Sequence, residues 1–242
     1  MVARFRVLPI LLPLSLLSHG GPAAAQDVHS PSVSIELASD LRLRGLSWSD
    51  GRPSLGAWAD VPLSSATSMK ASLYTANGAA RSGGGDVALA MGLRQRLSDG
   101  PVRIDAGGGC RAFPGGASAF CEVEADAAYD IAWITLGAGI AYAPRQHAIG
   151  GDNLYTHMRA RAAVPGQPWA VDVHVGRSAG AVTDPVRADR LRPDGARYRD
   201  HGIGLSYGRG RLGGGIRYVG ATGTGHARDA DDTLVAHIAL LF

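Results

Sequence analysis

The chain has 242 residues, of which 45% are hydrophobic and 19% are charged, and its formal net charge is +3. Removing Arg4 and Arg6 with the N-terminal segment leaves 22 of the 24 basic residues against 21 acidic ones, which excludes the basic excess typical of nucleic-acid-binding proteins. No run of 18 apolar residues occurs after residue 25, which excludes a spanning helix, so the hydrophobic residues require another arrangement.

Residues 1–25 have the pattern of a secretory signal peptide. Two arginines precede an apolar run that ends at Leu17, and small residues up to Ala25 provide a cleavage point. The apolar run is shorter than the roughly 20 residues that a spanning helix needs. We therefore expect export and cleavage, which would leave one domain at residues 26–242.

Alternating apolar and polar residues begin at Val33, as in a strand whose two faces meet different surroundings. Between residues 32 and 44 the apolar side chains fall on one face, and most of the others, among them Glu36 and Asp40, fall on the second. The same alternation recurs along the chain between turn signals. It predicts twelve strands, at residues 32–44, 53–63, 68–76, 86–97, 101–112, 120–129, 132–143, 153–164, 168–177, 199–208, 211–220 and 233–242.

The predicted connections alternate between short turns and longer loops. Short turns are expected at Asp99-Gly100, Asp130-Ile131, Gly166-Gln167 and Arg209-Gly210. An even number of strands with short turns at one rim and long loops at the other is typical of outer-membrane barrels. We predict an all-β fold, a transmembrane antiparallel β-barrel of about 12 strands with short periplasmic turns and longer extracellular loops. The alternative is a secreted soluble β-sandwich, which has similar alternation.

The segment SDLRLRGLSWSDGRPSLG, from Ser39 to Gly56, resembles the N-terminal signature of the TorF family, porin-type outer-membrane proteins of proteobacteria. The matching residues are Ser39, Asp40, Arg42, Arg44, Gly45, Ser47, Ser49, Asp50, Gly51, Pro53 and Leu55. The sequence departs from the signature at Leu41, Leu43, Trp48, Ser54 and Gly56. The resemblance implies a pore in the outer membrane and implies no particular solute.

Cys110 and Cys121 are the two cysteines of the chain. Export would deliver them to an oxidising compartment, and no histidine lies between them. A disulfide is therefore predicted rather than a metal site.

If the apolar faces contact lipid, the alternate residues of the strands face the lumen. The pore-lining candidates are Glu36, Asp40, Arg42, Arg44, Arg94, Arg103, Asp105, Arg111, Glu122, Glu124, Asp126, His157, Arg159, Arg161, Asp172, His174 and Arg217. Twelve strands lie between the 8 that leave room for side chains only and the 16 to 18 that leave an aqueous channel. The charges therefore either line a water-filled path or pair into a plug. The loop at residues 178–198 either folds inward as a constriction or covers the surface.

These features predict a porin-like channel in the cell outer membrane for passive diffusion of small hydrophilic solutes or ions, with no cofactor. The open alternatives are a non-conducting structural or adhesin-type barrel and a barrel-borne lipid-modifying enzyme. Against an enzyme, the turn at Gly166-Gln167 aligns Arg161 with Asp172 and Arg159 with His174, which indicates an ion-pair ladder rather than a catalytic triad. The expected partners are outer-membrane lipid, the barrel assembly machinery, periplasmic chaperones and small polar solutes, without nucleic acid.

The C-terminal strand has an apolar face that ends in an aromatic residue at the carboxyl terminus. That face consists of Leu234, Ala236, Ile238, Leu240 and Phe242. It resembles the terminal assembly signal of outer-membrane barrels.

Deleting Phe242 should reduce outer-membrane assembly and leave unfolded protein in the periplasm, because the aromatic end of the signal is lost. Heat-modifiable migration of the membrane fraction measures the folded protein. Phe242→Tyr keeps the ring and should assemble normally. Wild-type amounts of inserted, heat-modifiable protein after the deletion would contradict the interpretation of this strand as an assembly signal.

Overall fold

The computed structural model describes residues 30–99, 101–195, 197–224 and 230–242, so the predicted signal segment lies outside the described residues. Twelve strands form one closed antiparallel barrel, in which each strand pairs with its neighbours along the chain and β1 pairs with β14. The barrel strands are β1 (Ser32–Ala38), β4 (Ser54–Pro62), β5 (Thr67–Thr75), β6 (Val87–Asp99), β7 (Val102–Ala112), β8 (Phe120–Ile131), β9 (Ile134–Gln146), β10 (Gly151–Ala163), β11 (Trp169–Ala179), β12 (Tyr198–Arg209), β13 (Leu212–Thr222) and β14 (Thr233–Leu241). Two further strands, β2 (Arg42–Leu43) and β3 (Leu46–Ser47), pair only with each other.

The outer wall of the barrel is apolar. Large hydrophobic side chains point outward on strand after strand, and Met91, Met158 and Leu234 are each at least 60% exposed. An apolar exterior on this scale fits lipid and not water. The predicted twelve-stranded barrel is confirmed, and the sandwich alternative is wrong. Among the described residues, no helix combines the length and the apolar character needed to cross a membrane.

The two rims of the barrel differ, as the sequence predicted. One end, which we call the short-turn rim, carries the connections 63–66, 132–133, 164–168 and 210–211 and the C-terminal residue. The other end, the long-loop rim, carries residues 39–53, 76–86, 113–119 and 180–195. One predicted long loop, at 144–152, shrinks to 147–150 because β9 and β10 extend into it.

The first barrel strand ends at Ala38, and residues 39–53 turn into the lumen as an inner hairpin. The prediction of a wall strand as far as residue 44 is therefore wrong. Arg44 and Gly45 both have positive φ (53° and 76°), which is the requirement of a tight two-residue hairpin turn. This turn folds β2 onto β3 and reverses the chain inside the barrel.

A hydrophobic core lies inside the lumen, near the long-loop rim. Leu41, Leu43 and Trp48 of the inner hairpin are each at most 4% exposed. They pack against buried side chains from the wall and from the rim loops, namely Tyr74, Ala88, Phe113, Phe120, Ala143, Ala148, Ile149 and Leu191. Leu41 and Leu43 were expected on the lipid face of a wall strand. They are buried instead, because the same alternation of apolar and polar residues directs them into the core when the segment folds as a hairpin inside the barrel.

The predicted disulfide is present in the structure. Cys110 of β7 and Cys121 of β8 are directly opposite each other in the register and are bonded. The bond closes the loop that leads from Phe113 to the start of β8, so it holds Phe113 and Phe120 close to the inner hairpin.

Replacing Cys110 and Cys121 together by serine should lower the free energy of unfolding by about 3 kcal/mol, as the chain-entropy model gives for a loop of this size. Urea titration in detergent, followed by heat-modifiable migration, measures the change. Intact-mass analysis of the wild-type protein should show no free thiol. Two free thiols in protein isolated from the membrane would contradict the bond.

Candidate functional site

The candidate site is the charged interior of the barrel, where carboxylates and cations of the wall form a ladder. Arg161 and Asp172, aligned by the turn between β10 and β11 as predicted, form an ion pair of 2.7 Å. Arg159 is opposite His174 in the register, but its guanidinium binds Asp126 of β8 at 3.0 Å. Further pairs join Lys70 to Asp60, Arg94 to Asp105 and Arg103 to Asp130.

Glycines on the strands between the partners make room for these bridges. Arg159 of β10 reaches Asp126 of β8 across β9, whose inward positions opposite Arg159 and Asp126 are Gly137 and Gly139. A Cβ atom at Gly139 would lie 2.5 Å from an Asp126 carboxylate oxygen and 2.5 Å from Cε1 of His157. Gly176 of β11 makes room in the same way for the hydrogen bond from Tyr155 Oη to Asp200. Inward glycines of this kind are a sequence signal for bridges across a strand, because only glycine leaves the inward position without a side chain.

A bidentate ion pair ties the turn of the inner hairpin to the wall. Arg44, at the turn of the hairpin, donates to both carboxylate oxygens of Glu122 on β8, at 2.8 and 3.0 Å. Its guanidinium also lies over the ring of Tyr155, 4.3 Å from the centroid. Burial alone would lower the pKa of Arg44, but the charge and hydrogen bonds of Glu122 outweigh it and raise the pKa above its usual value.

Within the inner hairpin, Asp40 organises the backbone. Its carboxylate accepts hydrogen bonds from the hydroxyls of Ser47 and Ser49 and from Arg42. At the tip, a Cβ atom at Gly45 would lie 2.5 Å from the carbonyl oxygen of Gly220 on β13. The hairpin therefore spans the lumen from β8 on one side to β13 on the other, and its tip position requires glycine.

The loops of the long-loop rim are tied together by arginines that bind backbone carbonyls. Arg81 donates to the carbonyl of Arg190, and Arg190 donates to those of Ser118 and Ala148. Burial, together with the nearby charge of Arg81, lowers the pKa of Arg190 to about 10. The loop predicted at 178–198 therefore covers the rim, and its Leu191 also packs into the core of the lumen. Sequence patterns gave no signal for this cap.

Most of the pore-lining candidates lie on the barrel wall, at positions that alternate with outward-facing residues. These are Glu36, Arg94, Arg103, Asp105, Arg111, Glu122, Glu124, Asp126, His157, Arg159, Arg161, Asp172, His174 and Arg217. Three candidates expected on the wall, Asp40, Arg42 and Arg44, belong to the inner hairpin instead. Whether any of the set lines a permeation path stays a prediction.

Two small cavities lie beside the inner hairpin. A cavity of about 20 Å³ separates Arg42 and Arg44 from His174 and Arg217 of the wall. A second cavity, of about 10 Å³, lies on the opposite side of the hairpin, next to Trp48. A water molecule needs about 10–15 Å³ measured in this way. Each of these two gaps therefore holds a water molecule or two at most and no larger solute.

The chain matches a protein family over residues 22–238, and the family is described as a bacterial protein of unknown function (Gcw_chp). The chain belongs to the Gcw_chp family. The matched region contains the motif from Ser39 to Gly56, and membership in the TorF family itself stays a prediction. None of the curated proteins compared with the chain matches it.

Solved structures with the same architecture are outer-membrane barrels. The KdgM porin has a TM-score of 0.53 at 7% identity, over 87% of this chain and 98% of that chain. The KdgM porin in complex with disordered oligogalacturonate has a TM-score of 0.51 at 8% identity, with coverage of 87% and 98%. An outer-membrane channel from Pseudomonas putida has a TM-score of 0.53 at 11% identity, with coverage of 90% and 97%. At these identities the likeness shows the fold alone.

Glu122→Gln should lower the free energy of unfolding by about 3–5 kcal/mol, because it leaves the buried guanidinium of Arg44 without its counter-charge. Urea titration of the refolded protein measures the change. Asp50→Asn is the matched control: it removes a carboxylate that pairs with Arg52 at 3.6 Å at an exposed site of the same loop. It should cost less than about 1 kcal/mol. Equal effects of the two variants would show that the Arg44–Glu122 pair does not hold the hairpin.

Proposed function

We propose that this protein is an outer-membrane channel for passive diffusion of small hydrophilic solutes or ions, and that the inner hairpin is its gate. The observation that carries the proposal is the hairpin inside a charged barrel, fixed by one bidentate ion pair at its turn. The resemblance of its sequence to the TorF porins supports the same proposal. The hairpin connects to the wall at the long-loop rim, where β1 ends and β4 begins, so it can swing without unpairing the barrel.

The charged ladder on the short-turn side of the hairpin provides the hydrated part of the path. Several of its side chains remain accessible to water; those of Arg161, Asp172 and Asp130 are 19%, 24% and 33% exposed. Dry burial of each such ion would cost several kcal/mol even after relaxation. Water in this half of the lumen lowers that cost and makes a vestibule that a small polar solute can enter.

The gate is closed in the present conformation, and opening it breaks both the ion pair of Arg44 and the packing of Leu41, Leu43 and Trp48 in the core. Separating Arg44 from Glu122 costs about 3–5 kcal/mol if neither finds a new partner. Exposing Leu41 and Leu43 adds about 1.5–3 kcal/mol for each side chain that leaves the core. At equilibrium the hairpin is therefore displaced in fewer than about one molecule in 10⁴. We therefore expect rare, brief openings rather than the steady current of an open porin.

The packed rim favours one competing proposal, a non-conducting structural or adhesin-type barrel. The arginine–carbonyl contacts of Arg81 and Arg190 close the long-loop end over the hairpin. In that case the hairpin is a permanent plug and the exposed loops carry the function. Conductance separates the two proposals.

Catalysis is not part of the proposal. His157 and His174 face the carboxylates of Asp126 and Asp200, at 3.2 and 3.4 Å. Over the described part of the chain, neither ring has a hydrogen bond to a hydroxyl or thiol that could serve as a nucleophile. The proposed partners are outer-membrane lipid around the apolar wall, the barrel assembly machinery, periplasmic chaperones and small polar solutes, and no cofactor is proposed.

Planar-bilayer recording tests the gate. The wild-type protein should give rare stepwise openings, and a variant with residues 41–49 replaced by a short Gly-Ser linker should conduct steadily. Arg44→Gln should raise the open fraction at least tenfold, because the bidentate pair is lost. Arg52→Gln, a change of the same charge at an exposed position of the loop, is the control and should match the wild type. Folded wild-type and linker variants that are both silent would refute the channel and favour the structural barrel.

A further inference from the structure

Two arginines lie side by side on the outer wall of the barrel, near the long-loop rim. Arg177 of β11 and Arg199 of β12 are directly opposite each other in the register. The same row continues to Thr156 of β10 and to Thr222 of β13. All four side chains are exposed. The row therefore presents two guanidinium groups flanked by two hydroxyl groups on the outside of the barrel.

The described residues supply no counter-charge to the pair. Like charges directly opposite each other on neighbouring strands are destabilising. Within the described part of the chain, no carboxylate lies within ion-pair distance of Arg177 or Arg199. The next outward side chain along β12, His201, has Asp232 at 3.3 Å. Among the residues that the structure describes, the two arginines thus form a positive site without an acidic partner, next to a position where the chain supplies its own acid.

The position of Arg177 and Arg199 along the barrel axis can be estimated from the aromatic pair at the opposite end of β11 and β12. Trp169 and Tyr207 are opposite each other at the short-turn end of β11 and β12, with ring centroids 4.8 Å apart. Such aromatic pairs mark a membrane interface. Arg177 lies eight residues further along β11. That distance is about 26 Å along the strand, or about 20 Å along the barrel axis for a tilt of about 40°.

An apolar band in an outer-membrane barrel is about 25 Å tall, so the arginines reach the interface opposite the aromatic pair. The outward residues between the two levels are apolar except His201; Val173 and Ile203, for example, are opposite each other and exposed. Long arginine side chains at such a level extend toward the headgroups. The negative groups available there are lipid phosphates.

We propose that Arg177 and Arg199 bind a phosphate of lipid A, the phosphorylated glycolipid of the outer leaflet, between their guanidinium groups. Guanidinium groups bind phosphate oxygens in bidentate fashion, which a single ammonium group does not do. The hydroxyls of Thr156 and Thr222 flank the phosphate as further donors. The assignment to lipid A rests on the proposed outer-membrane location, which makes the long-loop rim the outer-leaflet side.

Native mass spectrometry of the refolded protein in detergent micelles, with bisphosphorylated lipid A added, tests the site. The wild type should retain one lipid A and should bind fully dephosphorylated lipid A at least tenfold more weakly. Arg177→Gln combined with Arg199→Gln should lower lipid A binding at least tenfold. The matched control combines Arg209→Gln with Arg211→Gln, two exposed arginines at the short-turn rim, and should bind as the wild type does. Exchanging both Arg177 and Arg199 for lysine should restore part of the binding.

Equal binding of lipid A by the wild type and the Arg177/Arg199 glutamine variant, with both heat-modifiable, would overturn the site. Equal binding of phosphatidylglycerol and lipid A by the wild type would overturn the assignment to the glycolipid. None of these measurements depends on the lumen. A barrel that binds lipid A and is silent in bilayers would therefore refute the channel and keep this inference, and a conducting barrel with no phosphate dependence would do the reverse.

Discussion

Neutralising the charges inside a closed barrel is the constraint on which the rest of this structure depends. A carboxylate or guanidinium group that is taken out of water without a partner costs several kcal/mol, and twelve strands leave too little width to hydrate every charge fully. Asp126 has both Arg159 and His157 within reach, and Asp105 has Arg94. The same requirement explains the inward glycines: Gly139 removes the side chain that would separate Asp126 from its partners.

The inner hairpin meets this constraint from the centre of the lumen. It brings Arg44 to Glu122, and it brings its own acid, Asp40, with the serine hydroxyls that satisfy it. Its apolar side does a second job, because Trp48 stacks on Phe113 at 5.1 Å and forms a core under the rim loops. The barrel is therefore asymmetric along its axis, packed and apolar toward the long-loop rim and charged and accessible to water toward the short-turn rim. An occluded end above a hydrated vestibule fits the proposed closed channel, and it fits the plugged structural barrel equally well.

Local sequence patterns predicted the barrel but not the hairpin and the core inside its lumen. Period-two alternation and turn residues are local, so they gave twelve strands, the asymmetric rims and the pairing of Arg161 with Asp172 across a tight turn. The alternation from Leu41 to Arg44 is equally compatible with a strand between lipid and lumen and with a hairpin between a core and an ion pair. Which of the two forms depends on the partner of Arg44. That partner, Glu122, lies 78 residues away along the chain. The positive φ required at Arg44 was also hidden, since arginine is an unusual residue for that turn.

The interior of the barrel and its outer wall differ in how their cations are neutralised. A cation facing lipid at mid-bilayer costs about 2–4 kcal/mol, and the cost falls to about 0–1 near the interface. Inside the lumen no such gradient is available, so the chain must supply partners, and it does so for Arg44, Arg94 and Arg161. On the outer wall, His201 is one outward position closer to mid-bilayer than Arg199, and the chain supplies Asp232 as its acid. For Arg199 the described residues supply none. Among the described residues, the change from paired to unpaired cations therefore falls at the depth where lipid phosphates become available. This coincidence is the physical reason for proposing a lipid as the partner of these arginines.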